Sequence, residues 1–333
     1  MMKEMKLSDR IDLMAALGRY MLENGEDWRN AKDDAVHANP WFTTGHVELA
    51  VANIVREFLD DQKLAKWASG YQISDTPRTV GIVMAGNIPM VGFHDLLCGI
   101  IAGHKLVLKL SSKDEVLMKH IVNWLLAAEP RLAGRIVIAD RLNGCDAYIA
   151  TGSNNTARYF EQYFSRFPHI IRRNRTSVAV LDGTETDDEL LALGTDIYSY
   201  YGLGCRNVTQ VCVPIGYNFE RLLNVLSHYD AYADLNKYKN NYDYHLAIYL
   251  LNRVPYMSNP SILMVENSLP FSAVSVLHYR YFEDRDLLVA ELAASQDIQA
   301  IVGHGFFPFG SSQCPALSDY ADGVDTMQFL CGL

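Results

Sequence analysis

The sequence predicts an α/β protein built on a parallel sheet with crossover helices. Short apolar runs at residues 79 to 84, 105 to 110, 135 to 139 and 147 to 150 read as buried strands. Between and after them lie helical patterns at about 91 to 102, 113 to 127 and 155 to 166. Strand and helix alternate, and that order calls for parallel pairing with helical crossovers. With 333 residues, 49% of them hydrophobic and 20% charged, the chain has enough apolar material for two domains or one large α/β unit.

The elements follow in order. Leu7, Ile11, Met14, Leu17 and Met21 recur at spacings of three and four, which predicts an amphipathic helix over 7 to 23. Residues 45 to 68 read as a second helical stretch ending near Ser69-Gly70. The first strand, Thr79 to Met84, is closed by Ala85-Gly86-Asn87, and the fourth runs into Thr151-Gly152-Ser153. Ligands in such sheets bind at the carboxyl ends of strands, so the loops at Gly86, Ser111 and Thr151 are where a cofactor is expected. Arg172, Arg173 and Arg175 form a basic patch, read as a solvated turn in preference to a phosphate contact. A further strand covers Ser177 to Leu181, and the acidic segment Asp182 to Glu189 suits the start of the next helix. Val208 to Val213 is a strand ended by Pro214, a helix follows at about 218 to 228, and 229 to 252 is rich in tyrosine.

Composition excludes several classes of function. A net charge of -10 argues against general nucleic-acid binding. The most apolar stretch, Leu96 to Leu110, is broken by Gly103, His104, Lys105 and Lys109, so no integral membrane segment is expected. Met1 to Lys6 lacks the apolar core of a secretory signal. The six cysteines are scattered without a Cys-x-x-Cys pair, so neither a metal site nor a disulfide framework is expected, and the cytoplasm is the natural compartment.

The most informative local feature is Tyr200-Tyr201-Gly202-Leu203-Gly204-Cys205-Arg206-Asn207. Two glycines permit tight backbone geometry ahead of Cys205, and Arg206 beside it favours a thiolate. Alone, Cys205 reads as a buried structural cysteine, as do the other five. Asn87 at a strand end could donate into a site, or simply belong to a turn. Lys109 at the next strand end could reach a ribose or phosphate. Gly152 and Ser153 fit either phosphate contact or helix capping.

Taken together, the order of these residues resembles the aldehyde dehydrogenase superfamily. It runs Asn87 and Pro89, Lys109, Thr151 to Ser153, Gly202 to Cys205, Glu266 and Pro270, then Pro308 to Gly310, over the chain from about residue 78 onward. Within it, Gly86-Asn87-Ile88-Pro89 with Phe93 to Leu97, and Asp319 to Gly323, look most like the acyl-CoA reductase branch, related to the fatty-acid reductase of bacterial bioluminescence. The resemblance implies a Rossmann-type nicotinamide cofactor-binding domain over 1 to 177, joined by a tail from about 305 to 333, and an α/β catalytic cysteine domain over 178 to 304. It further implies Cys205 as nucleophile, and Asn87 with the Cys205 N–H as oxyanion donors. Lys109 would hold the adenosine ribose, Gly152 and Ser153 the pyrophosphate, and Glu266 the nicotinamide ribose. A homodimer is implied as well.

Two departures from the family pattern carry chemistry. Oxidising aldehyde dehydrogenases carry a water-activating glutamate some thirty-odd residues before the cysteine, yet no carboxylate stands between Glu161 and Asp182. Hydrolysis of an acyl-enzyme should then be slow, which favours NADPH-dependent reduction of an acyl-CoA thioester to an aldehyde. His169 lies in that gap, with a structural role favoured over proton donation. NAD-preferring relatives place a glutamate three residues after the lysine. Here that position is Ser112, followed by Lys113, which favours NADP(H) over NAD(H). The alternatives are acyl-phosphate reduction, CoA-acylating aldehyde oxidation, non-redox acyl transfer and a non-catalytic scaffold.

Overall fold

The computed structural model describes residues 5–74 and 76–333. Met1 to Glu4, which carry most of the segment bearing on a secretory signal, lie outside the described residues. The chain divides into two compact units: Met1–Asn174 with Pro315–Leu333, and Arg175–Cys314.

The first unit begins with a helical layer, α1 (Leu7–Glu23), α2 (Glu26–Ala38), α3 (Thr44–Phe58) and α4 (Asp61–Ala68). The stretch expected as one helix over 45 to 68 is two. Asp60 accepts a hydrogen bond from the Lys63 N–H at 2.8 Å and caps a new helix, which breaks the run after Leu59. α2 has no sequence-level counterpart. Its polar surface hides a narrow buried stripe of Trp28, Ala31, Lys32 and Ala35.

The sheet of this unit contains β1 (Thr79–Val83), β2 (Lys105–Lys109), β3 (Ile136–Ile138), β4 (Ala147–Thr151) and β5 (His169–Arg172). The strand order is β3-β2-β1-β4-β5, and every pair is parallel. Three helices connect them, α5 (Phe93–Ala102), α6 (Glu115–Ala128) and α7 (Asn154–Phe164). α5 buries every residue except His94, so it is apolar on nearly all sides, as an interior helix should be. Sequence order runs from β1 outward to β2 and β3, then returns to the other side of β1 as β4 and β5. The switch point therefore falls between β1 and β4, the place beyond the carboxyl ends of the strands where sheets of this kind bind ligands.

β5 overturns the reading of the basic patch as a solvated turn. Arg172 ends this strand in register with Thr151 and is 4% exposed. Its guanidinium donates to Asp95 on α5 at 2.5 Å and to Thr326 at 2.8 Å. Burial of a charge of this kind requires such a partner. Arg173 does stay exposed and pairs with Glu161, while Arg175 donates to the Ile298 carbonyl at 3.2 Å. The C-terminal segment locks onto the first unit through His94 and the Leu317 carbonyl, Tyr71 and Asp325, and His104 and the Leu330 carbonyl. The Phe93 to Leu97 and Asp319 to Gly323 motifs thus lie in one packed network, with Tyr320 bonded to Tyr71 and Trp67.

The second unit holds β6 (Thr176–Val180), α8 (Asp187–Tyr198), β7 (Val208–Pro214), α9 (Phe219–Leu226), α10 (Asn236–Asn252), β8 (Met257–Ser258), β9 (Leu263–Glu266), β10 (Val276–Phe282), α11 (Arg285–Ala294) and β11 (Ile298–Gly303). Its sheet runs β11-β6-β7-β10-β9-β8, parallel except for the short β8–β9 pair. Thr186 and Glu189 form a capping box at the start of α8, with Asp187 and Asp188 in its first turn. α12 (Thr326–Cys331) belongs to the first unit. Among the described residues, no helix is long and apolar enough to cross a membrane.

Candidate active site

Five of the residues singled out by sequence stand on the first unit, all at the carboxyl end of its sheet. β1 ends beside β2 with Val83 opposite Lys109, and the Met84 N–H continues the ladder to the Lys109 carbonyl at 3.0 Å. Lys109 is exposed, as are Ser112 and Lys113 in the turn that leads to α6. Asn87 is half-buried in the loop after β1.

That loop is fixed by Asp114, a residue without any signal in the sequence. Asp114 is 3% exposed, and its Oδ2 accepts the Met90 N–H at 2.7 Å. Met90 takes a left-handed φ of 56°, a strained choice for a non-glycine residue. Gly86 lies so close to the next loop that a Cβ there would stand 2.5 Å from the Ser111 hydroxyl. Only glycine allows that approach. The Asn87 loop and the Ser111-Ser112-Lys113 turn are therefore packed as one piece. Burial pushes the Asp114 carboxyl well above the usual carboxylate range, which favours its neutral form beside that turn.

Gly152 and Ser153 lead from the end of β4 into α7, with Ser153 as its N-cap. The Ser153 hydroxyl accepts from the Thr156 N–H at 3.3 Å and contacts the Thr156 hydroxyl at 2.9 Å, so capping occupies it. A Cβ on Gly152 would approach Thr156 at 3.1 Å and Phe160 at 3.0 Å. His169 stands apart from this group. It pairs with Tyr148, three residues before β5 ends, and its Nδ1 meets the Phe167 carbonyl at 2.8 Å. That position, well short of the carboxyl edge, gives no support to a proton-donor role.

Cys205 and Glu266 stand on the second unit. Cys205 is half-buried in the loop between α8 and β7, and its carbonyl accepts from the Ser177 hydroxyl at 3.2 Å. Tyr200, Tyr201 and Gly202 ahead of it have φ values of 53°, 58° and 74°. Two successive non-glycine residues in the left-handed region cost roughly 1–2 kcal/mol each. Their rings are buried and offset that cost. Tyr201 meets Tyr232 and Tyr238 at centroid distances of 5.3 and 5.6 Å, and Tyr198 stacks on Tyr229 at 4.8 Å. Tyr198, Tyr201, Tyr229, Tyr232 and Tyr238 thus form one aromatic cluster.

Glu266 is exposed at the end of β9. The turn after it is held by buried polar side chains. Gln210 donates to the Asn267 and Leu269 carbonyls at 2.9 and 3.2 Å, and His278 meets the Leu269 carbonyl at 2.8 Å. Thr209 donates to the Pro270 carbonyl at 2.5 Å. The Pro308-Phe309-Gly310 turn is pinned to α8 by Asp196, whose carboxylate accepts the N–H groups of Gly310 at 2.6 Å and Ser312 at 2.9 Å. Burial pushes the Asp196 carboxyl up to about 6 against the pull of those donors.

The first carboxylates after the acid-free segment are already engaged. Asp182 accepts from the Thr184 N–H and hydroxyl and pairs with His304. Its pKa falls to about 2, those bonds outweighing the opposing effect of burial. Glu185 accepts the Asp182 and Gly183 N–H groups. Neither resembles a poised base. Among the described residues, no group of three or more His, Cys, Asp or Glu side chains is placed to hold a metal ion.

This architecture is the aldehyde dehydrogenase fold, a Rossmann-type unit with a second α/β unit. The structure of aldehyde dehydrogenase 21 from Physcomitrella patens in complex with the product succinate matches with a TM-score of 0.68 at 10% identity, over 90% of this chain and 74% of that one. An NAD+ complex of an aldehyde dehydrogenase from Bacillus cereus matches with a TM-score of 0.67 at 12% identity, over 90% and 72%. An NADP-dependent enzyme of E. coli matches with a TM-score of 0.68 at 12% identity, over 90% and 73%. No family model matches the chain, and no curated protein sequence matches it.

Proposed function

We propose that this chain is an oxidoreductase that takes an acyl group from acyl-CoA onto Cys205 and releases it as an aldehyde at the expense of NADPH. The observation that carries the reading is the cysteine loop, a half-buried thiol behind a strained left-handed turn, in a fold shared with aldehyde dehydrogenases. Strain of this kind collects at functional sites. The direction of reaction rests on the acid-free segment from 162 to 181 and on the engagement of Asp182 and Glu185 just beyond it.

The first unit suits a nicotinamide dinucleotide. The loop after β1 and the start of α7 stand at the strand-order switch point, Lys109 and Ser112 stand at the carboxyl end of the neighbouring β2, and Gly86 and Gly152 keep the backbone bare of side chains. Ser112 and Lys113 are exposed in the turn beyond Lys109, and a hydroxyl and an ammonium there would suit a 2′-phosphate, which supports NADP(H). Lys109 would hold the adenosine ribose, Ser112 would leave room for its 2′-phosphate, Gly152 and Ser153 would meet the pyrophosphate, and Glu266 the nicotinamide ribose.

In the proposed chemistry, the Cys205 thiolate attacks the thioester carbonyl and forms a C–S bond. Asn87 and the Cys205 N–H serve as donors to the oxyanion that develops. Collapse breaks the bond to CoA, which leaves as its thiolate. A nicotinamide cofactor held by Lys109, Gly152, Ser153 and Glu266 would supply the hydride that the acyl carbon accepts. The thiohemiacetal oxyanion left on Cys205, held by the same two donors, then collapses: its C=O bond re-forms, the C–S bond breaks, and the aldehyde leaves with the Cys205 thiolate restored. With no carboxylate between 162 and 181 to activate water, hydrolysis of the acyl-enzyme should be slow enough for reduction to compete.

The test is NADPH consumption against a panel of acyl-CoA lengths, with an acyl phosphate alongside. Cys205→Ala should abolish acyl-dependent consumption. Full activity in that variant would overturn the reading, and turnover of the acyl phosphate alone would move the substrate class.

A further inference from the structure

We infer that Asn207 is the positioning residue of the nucleophile loop, its carboxamide fixing the backbone that carries Cys205. The inference rests on Cys205 being the nucleophile.

Asn207 is fully buried, at 0% exposure. Its Oδ1 accepts the Gly204 N–H at 2.8 Å. Its Nδ2 faces three carbonyls, those of Asp196 at 3.0 Å, Ile197 at 3.3 Å and Ser199 at 2.8 Å. These belong to the last turn of α8 and the residue that follows it, where helix carbonyls run out of intrahelical partners. One side chain thus caps the helix and holds the residue preceding the cysteine. Its own carbonyl accepts the Ser177 N–H at 3.0 Å and the Thr176 hydroxyl at 3.3 Å, so β6 anchors it in turn.

The segment between the two ends of this clamp contains the left-handed Tyr200-Tyr201-Gly202 turn. Without the clamp, relief of the turn would move Gly204 and Cys205. Buried tyrosine rings hold the start of the turn, whereas the Asn207 carboxamide ties its far end at Gly204 back to α8. Displacement of a nucleophile by about 1 Å costs on the order of a hundredfold in rate. Asparagine suits the task better than aspartate, because the site needs one acceptor and a two-hydrogen donor together.

The experiment compares wild type, Asn207→Asp and Asn207→Ala. Three quantities are read: the single-turnover rate of Cys205 acylation by acyl-CoA, the rate of Cys205 alkylation by iodoacetamide followed by mass spectrometry, and the NADPH dissociation constant. Acylation and alkylation should slow by roughly a hundredfold in Asn207→Ala and by an intermediate factor in Asn207→Asp, which keeps the acceptor for Gly204. KM for acyl-CoA and NADPH affinity should stay within about threefold of wild type. Wild-type rates at Cys205 in folded Asn207→Ala would overturn the inference. So would a fall in NADPH affinity in step with acylation, which marks general loss of structure. If Asn207→Ala does not fold, Asn207→Asp decides, and wild-type rates there would overturn it. Should wild type form no acyl-enzyme at all, the functional reading fails, while iodoacetamide still reports whether Asn207 sets the reactivity of Cys205.

Discussion

Removal of Asp95 should destabilise the first unit severely while leaving substrate affinity alone. Asp95 is 5% exposed and Arg172 is 4% exposed, and they meet at 2.5 Å between α5 and β5. Asp95→Ala would leave a guanidinium buried with Thr326 as its remaining neutral partner. Breaking a buried pair from one side costs about 3–5 kcal/mol, most of it from the stranded charge. In a unit of this size each kcal/mol lowers the melting temperature by roughly 2–4 °C, so the expected drop is about 6–20 °C. The Arg172 Nε and Asp95 Oδ1 already lack partners among the described residues, so the pair has no spare hydrogen bonds with which to absorb the loss. Circular dichroism melts and urea titrations read the stability, and KM for acyl-CoA is measured well below the melting point. A loss under about 1 kcal/mol would refute this account of the pair. So would a raised KM in a variant of wild-type stability, because Arg172 would then be meeting substrate. The double variant Asp95→Leu with Arg172→Met should recover most of the loss, since well-packed apolar replacements of buried ion pairs are often neutral or stabilising.

Two further outcomes follow from the site residues. Ser112→Glu should reverse the cofactor preference, lowering kcat/KM with NADPH by at least about tenfold and raising it with NADH, because a carboxylate repels a 2′-phosphate and accepts from a ribose hydroxyl. Unchanged selectivity in steady-state assays with both cofactors would remove Ser112 from the cofactor site. Asp196 should make the second unit less stable as pH rises from about 4 to 6. Its folded pKa of about 6 lies above the unfolded 3.8, so the folded state holds the extra proton, and that contribution is complete below 3.8 and gone above 6. Denaturant titrations across this range should show the decline, Asp196→Asn should flatten it, and a slope unchanged by the substitution would refute the assignment.

The sequence by itself determined the elements whose signals are local. Apolar runs bounded by glycine marked β1, β2, β3, β4, β6 and β7. Spacings of three and four marked α1, and the acidic segment Asp182 to Glu189 marked the start of α8. The order of Asn87, Lys109, Gly152, Cys205 and Glu266 along the chain was enough to suggest the fold class, because each sits at an element boundary with its own residue signature. Tertiary structure decided what depends on neighbours distant in sequence. Arg172 reads as a surface charge until Asp95, 77 residues earlier, is found beside it. Asp114 carries no signal at all, since its importance lies in one N–H from the loop after β1. Asn207 stood in the open two positions after the cysteine, yet a buried carboxamide earns its role only through the carbonyls around it, and those are fixed by where α8 stops. The periodicity of side chains is written in the chain, whereas the satisfaction of buried polar groups is settled only when distant segments meet.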